Sequence, residues 1–258
     1  MTAALAGVVA RRDLLRNLIK AQLSSRYRTT SLGLLWFILT PLLWALILTL
    51  VFQYLLRLDI PNYPIFVLSA LLPWTFFQGA VSSATTSVSK STGLVKRVRI
   101  PRIYLPMSEV ITTLVHFLAS LVVLFALMLV AGIGVTGAIV LLPFIVVIET
   151  VCALGFGLIG ASLNVFYRDV EFLLTTALRA LFYLTPSFYP LSYVPEQWRP
   201  VYLLNPMAGI IDSYREIVVY GHAPSLLVLG EATLMSMLFL VIGVVLFVRA
   251  EPSFEDHI

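Results

Sequence analysis

Charge is scarce in this sequence. Of its 258 residues, 12% are charged and 60% hydrophobic, whereas a water-soluble domain carries about 25% charged residues. The shortage excludes a soluble globular domain and points to an integral membrane protein. Histidine and cysteine are scarcer still. Three dispersed His residues and the single Cys152 offer no metal-ligating cluster and no pair of thiols for an intrachain disulfide. A net charge of +4 is too small for a nucleic-acid binder, and the basic residues are gathered into a few segments rather than spread along one face. No nucleic-acid partner is expected.

Catalytic signatures are also missing. The phosphate-binding loop G-x-x-x-x-G-K-[ST] has one candidate Lys, Lys90 followed by Ser91, and its two glycine positions hold Ala84 and Ser89. Neither a G-x-S-x-G elbow nor an H-E-x-x-H zinc site occurs. "GFGLIG", Gly155 to Gly160, fits the dinucleotide fingerprint, but that fingerprint must follow a strand and open a helix. Here it lies inside an apolar run in which Ala153, Gly157 and Ala161 recur every four residues, the spacing that lets transmembrane helices approach closely. A cleavable signal peptide is not expected either, because Arg11, Arg12, Arg16, Lys20, Arg26 and Arg28 interrupt the first 31 residues.

What the chain has in abundance is long apolar runs. A span needs about 20 apolar residues, and six runs qualify: about Leu32 to Leu56, Ile65 to Ser87, Leu105 to Ala131, Ile139 to Phe166, Phe172 to Leu191 and Leu226 to Val248. The expected fold is all-α, a polytopic membrane protein of six transmembrane helices with no soluble domain between them. With both termini cytoplasmic, the inside segments hold 13 of the 17 Lys and Arg residues, among them Lys90, Lys96, Arg97, Arg99 and Arg102, and the outside segments only Arg57, Arg199 and Arg215, with Arg179 inside the fifth span. That asymmetry sets the expected orientation.

Three connecting segments stand out. In "RRDLLRNLIKAQL", residues 11 to 23, Leu14, Leu15, Leu18 and Ile19 share a helical face opposite Asp13, Arg16, Asn17 and Lys20, the pattern of an interfacial helix with Arg12, Arg16 and Lys20 near anionic headgroups. "LVKRVRIPRIYLP", residues 94 to 106, carries four cations, two prolines and no acid. On the outside, Pro186, Pro190, Pro195, Pro200 and Pro206 break up residues 186 to 224, which are too aromatic for a free loop. Short helices resting in the outer leaflet are expected there, serving as an outer gate or as an aromatic belt.

Five ionisable groups fall inside the expected spans: Glu109, His116, Glu149, Arg179 and Glu231. Charge in hydrocarbon is costly. Glu149 and Arg179 both lie near mid-bilayer by position, so an intramembrane Glu149 to Arg179 pair is expected. "NVFYRDVEF", Asn164 to Phe172, places Asp169 and Glu171 where they can balance the start of the next helix.

Four motifs together resemble one family. "RRDLLRNLIKAQLSSRYRTTSLGLLWFILTPLL", "LVKRVRIPRIYLP", "LNVFYRDVEFLL" and "LTPSFYPLSYVP…LLNPMAGIIDSYR" look like those of the polysaccharide-exporting permease subunits of ABC-2 type transporters, which move lipid-linked O-antigen, capsule or teichoic-acid polymers. The second motif departs from the family at Ile100 and Ile103. The resemblance implies a single transmembrane domain over residues 1 to 258. Residues 1 to 31 would be the cytoplasmic amphipathic helix, 88 to 104 the cytoplasmic coupling loop and 186 to 224 the outer gate region. It implies a homodimer in the cytoplasmic membrane with two separate ATPase subunits that bind ATP and Mg, a polyprenyl-linked glycan as cargo, and no cofactor in this chain. The ATPase-coupling residues would be Ser91, Val95, Lys96, Arg97, Arg99, Pro101 and Arg102. Trp36, Trp74, Phe77, Tyr183, Tyr189 and Tyr193 are candidates for a channel or gate lining, since flat rings meet sugar C–H faces, with core and belt positions as the competing assignments.

Other functions compete with this one. An ABC-2 exporter of a drug or small lipid fits the same pattern. A membrane-embedded glycosyl- or acyltransferase would use Glu109, His116 or Asp169 as base, and a proton-driven carrier would use the intramembrane acids and His116.

Overall fold

The computed structural model describes residues 12–27, 35–57, 60–93 and 101–254. All regular structure among them is helical. The order is α1 (Arg12–Tyr27), α2 (Leu35–Thr49) continued by a π-helical segment (Leu50–Leu55), α3 (Tyr63–Lys90), α4 (Tyr104–Val130), α5 (Leu142–Phe166), α6 (Val170–Leu184), α7 (Arg199–Leu203), α8 (Pro206–Val218) and α9 (Leu226–Ala250). A 3-10 turn at Gly137–Leu141 leads into α5.

Four of these are long and apolar enough to cross a membrane: Tyr63–Lys90, Tyr104–Val130, Gly137–Phe166 and Leu226–Ser253. The other two expected spans differ. The first begins among residues outside those described, and α2 holds 15 helical residues before its six-residue π segment. The fifth was expected to reach Leu191, yet α6 has 15 residues and stops at Leu184. A 15-residue helix measures about 22 Å, short of the ~30 Å of hydrocarbon. The stop is local chemistry: Pro186 disfavours a helical residue before it, and Thr185 is extended.

The central element is α3, buried on nearly every side by α4, α5, α8 and α2. Lipid tails are as apolar as leucine, so close approach rather than hydrophobic burial must hold such helices together. Small residues supply it. A Cβ on Gly155 would meet backbone atoms of Leu240 and Phe239 in α9 at 2.6–2.9 Å, and one on Gly160 would sit 2.1 Å from Thr85 Oγ1 in α3. The "GFGLIG" segment is therefore a helix-packing surface, facing α9 at Gly155 and α3 at Gly157 and Gly160. Large apolar side chains of α2, α6 and α9, such as Trp44, Phe172 and Leu234, point outward.

The proline-rich stretch folds into two 3-10 turns (Leu191–Tyr193 and Glu196–Trp198), then α7 and α8. At the start of α8 the Met207 N–H donates to Asn205 Oδ1 at 3.1 Å, and Pro206 occupies the first turn, where no N–H is needed. Asn205 also donates its amide to Thr185 Oγ1 at 2.8 Å. One side chain thus caps α8 and ties it to the end of α6.

Candidate functional site

The proline-rich segment is anchored by two side chains of α8. Arg215 is 1% exposed. Its guanidinium donates to the carbonyls of Tyr189 at 2.9 Å, Ser187 at 2.6 Å and Pro186. Proline cannot donate a hydrogen bond and the turn leaves its carbonyls pointing inward, so one planar cation gathers the whole 186–189 chain reversal. Burial lowers its pKa to about 10, with Asp212 acting in the opposite sense, so it stays cationic at neutral pH. The preceding residue, Tyr214, donates its phenolic O–H to Glu149 Oε2 in α5 at 2.7 Å. The charge count assigns Arg215 to an outside segment and says nothing of its burial, which follows only from the packing of α8 against α3.

Glu149 and Arg179 do not pair. Glu149 is fully buried with Tyr214 as its partner, whereas Arg179 is exposed on α6 and lines a cavity on another face. Equal depth along two helices placed them level, but the faces they occupy diverge.

That cavity, of about 460 Å³, lies between α2, α3 and α6. Trp44, Phe52, Trp74, Phe182, Tyr183 and Phe188 are the aromatic part of its wall, with Thr40, Thr75, Gln78 and Arg179 as the polar groups. The rings are linked: Phe52 stacks on Phe188 with centroids 5.7 Å apart, Phe182 meets Phe188 edge-on at 4.9 Å, and Trp74 tilts against Phe182 at 5.3 Å. The π segment of α2 delivers Phe52 to this cluster. Trp74 and Tyr183 therefore share one wall, Trp74 almost wholly covered and Tyr183 mostly exposed. Phe77 does not line it: it is fully buried, edge-on to Phe156. The Trp36 side chain lies outside those described. Tyr189 and Tyr193 line a separate cavity of about 420 Å³ with Trp198 and Tyr202.

At the opposite end, the elements flanking residues 94–100 are tied together. Val95, Lys96, Arg97 and Arg99 lie outside the described residues. Ser91 ends α3, its N–H donating to Val88 O at 3.1 Å. Pro101 and Arg102 lead into α4, and Arg102 bonds Glu251 twice: backbone N–H to Oε1 at 2.9 Å and guanidinium to the carbonyl. Val88, Leu105, Leu158, Phe247 and Phe254 form a small core beneath. This core packs the ends of α3, α4, α5 and α9 against one another.

Helix α1 docks on the same end. Its Leu14, Leu15, Leu18 and Ile19 are half-buried while Asp13, Arg16, Asn17 and Lys20 are exposed. The Arg12 side chain is outside those described. Gln22, which the sequence pattern did not single out, donates to Ser108 Oγ and Glu109 Oε1, both at 2.9 Å, and accepts from Thr112 Oγ1 at 2.9 Å. Of the candidate bases, Glu109 lines a polar cavity, His116 is buried within α4 and Asp169 is exposed beside α6.

The chain belongs to the ABC-2 type transporter family, whose pattern matches residues 13–219. It is similar to "O-antigen export system permease protein RfbA" of Myxococcus xanthus, 34% identical over 249 residues and 96% of both chains. It is also similar to the protein of the same name from Klebsiella pneumoniae, 31% identical over 81% of both chains. "Polysialic acid transport protein KpsM" of Escherichia coli is 24% identical over 90% of this chain and 91% of its own length.

Proposed function

We propose that this chain is the membrane-spanning subunit of an ATP-driven exporter that moves a lipid-linked polysaccharide across the cytoplasmic membrane. The observation that carries the reading is the aromatic cavity between α2, α3 and α6, in a chain that aligns end to end with a protein named for O-antigen export. Flat rings accept sugar C–H faces in many orientations, which suits a polymer sliding past. In this reading α2 and α6 complete six spans, both termini are cytoplasmic, and two copies face each other across the aromatic walls.

ATP and Mg are bound by two separate ATPase subunits. Residues 91 to 102 receive them, and Arg102 and Glu251 pass the movement to α4 and α9. Residues 186 to 224 act as the outer gate, held by Arg215 and Tyr214. The basic segment suits both the cytoplasmic side and an acidic docking surface.

Co-expression with candidate ATPase subunits tests this. One should co-purify, be released by charge reversal at Lys96, Arg97 and Arg99, and support export of glycan in vesicles. Export by the chain without any ATPase would overturn the proposal.

A further inference from the structure

The inner half of α3 reads "SSATTSVSKST", Ser82 to Thr92, a density of hydroxyls that helix packing alone does not need. Several of them line a cavity of about 280 Å³ among the inner ends of α3, α4 and α6, with Lys90, Glu109, Glu171 and Thr175 in its wall. It extends along α3 from Ser82 to Ser91, so at 1.5 Å per residue it is a slot about 13 Å long rather than a point contact.

The hydrogen bonds define what this slot can bind. Thr85 donates to Val81 O at 2.8 Å, Ser87 to Ala84 O at 2.7 Å and Thr175 to Glu171 O at 2.7 Å. Thr86 shares its hydrogen between Ser82 O and Ser83 O, both at 3.4 Å. Each of these hydroxyls has committed its one hydrogen to the helix backbone and keeps lone pairs as acceptors. The carboxylates of Glu109 and Glu171 add more acceptors. Lys90 in the wall is engaged by Thr86 Oγ1 at 3.0 Å and by Glu171 at 3.9 Å. Its complement is a ligand with many O–H donors.

We propose that this slot is a carbohydrate subsite at the inner mouth, accepting hydrogen bonds from the hydroxyls of sugar units as the glycan enters. The inference rests on the export reading and adds to it the place and chemistry of first contact. The slot's length argues for a chain-like ligand over a single cationic side chain reaching in from a docked soluble partner.

The test uses the full chain with its ATPase subunit in vesicles. The probes are the lipid-linked glycan fraction extracted from the producing cells and the same glycan released from its carrier by mild acid. Thr86→Val and Thr175→Val remove acceptors at nearly constant volume. In the double variant the glycan concentration giving half-maximal stimulation of ATP hydrolysis should rise about tenfold, as should the concentration of released glycan needed to compete. Retention of the ATPase subunit through size-exclusion chromatography reports assembly. Should the double variant fail to assemble, Glu171→Gln reads the same two concentrations. Unchanged concentrations in an assembled variant overturn the subsite, as does released glycan that never competes with the lipid-linked form. A wild-type complex that ignores every glycan fraction overturns the export reading itself.

Discussion

The guanidinium carbon of Arg215 lies 3.8 Å from the centroid of the Phe66 ring. This joins a cation of α8 to an aromatic face of α3, while the hydrogens of the same guanidinium hold the carbonyls of residues 186–189. Arg215→Ala leaves those carbonyls without a partner and should destabilise the protein by about 3 kcal/mol or more. Arg215→Lys keeps the charge but loses the planar fork, so it should recover only part of that. Thermal unfolding in detergent and protease cleavage within residues 186–198 check both. A lysine variant as stable and as resistant as wild type would show that charge alone suffices.

Tyr214 and Glu149 link α8 to α5 through one buried hydrogen bond of 2.7 Å. Glu149→Gln retains an acceptor and should cost little. Glu149→Leu leaves the phenol unpaired, at about 1–3 kcal/mol, and adding Tyr214→Phe should restore part of the loss. Denaturation midpoints of the two single variants and the double variant measure the coupling, and strict additivity would mean that the bond contributes nothing.

Gly155 touches the α9 backbone too closely for any Cβ. Gly155→Ala should therefore cost about 1–3 kcal/mol by overpacking. Gly230, itself in α9, has open space around its Cα, and Gly230→Ala should be neutral or stabilising by about 0.5–1 kcal/mol. Comparing the two melting temperatures separates packing from propensity.

Burial, reinforced by Glu216 and opposed by Arg215, raises the Asp212 pKa from 3.8 to about 6. Between those values the unfolded chain is ionised while the folded one holds the proton, so this residue makes stability fall as pH rises from about 4 to 6. Above that window the penalty is complete. Asp212→Asn should consequently stabilise the protein by about 1–3 kcal/mol at pH 7 and change little below pH 4. Melting curves across pH 4 to 8 would detect it, and a variant that runs parallel to wild type at every pH would refute it.

Gln22 makes all three side-chain bonds between α1 and α4 described above. Gln22→Leu should loosen α1 and speed proteolysis within residues 12–27 several-fold, with little change in the global unfolding temperature. Equal cleavage rates would show that the apolar face of α1 holds it alone.

Much of the architecture was legible in the residues because apolar run length and helical period are local properties. The four long helices lie close to their expected positions, and Leu14, Leu15, Leu18 and Ile19 turn inward from α1 as their spacing requires. The shortened α6 was legible in principle through Pro186, but the apolar run beyond it masked the stop. Phe77 and Trp74 looked alike in sequence, and the structure covers the first entirely while leaving the second at a cavity wall.

The sequence by itself determined a helical membrane protein, its family, and the segments where its unusual chemistry lies, because composition and periodicity record the solvent each residue meets. Only the tertiary structure decided which groups meet one another. Glu149 was expected to find Arg179 and instead bonds Tyr214, 65 residues away in sequence. Arg215, counted only as one charge of a proline-rich segment, is the buried clamp of that segment. Depth along a helix follows from residue number, but the direction a side chain faces toward other helices depends on how those helices rotate and pack. That rotation is set by close contacts such as Gly155 on α9 and Gly160 on α3, which no single segment contains.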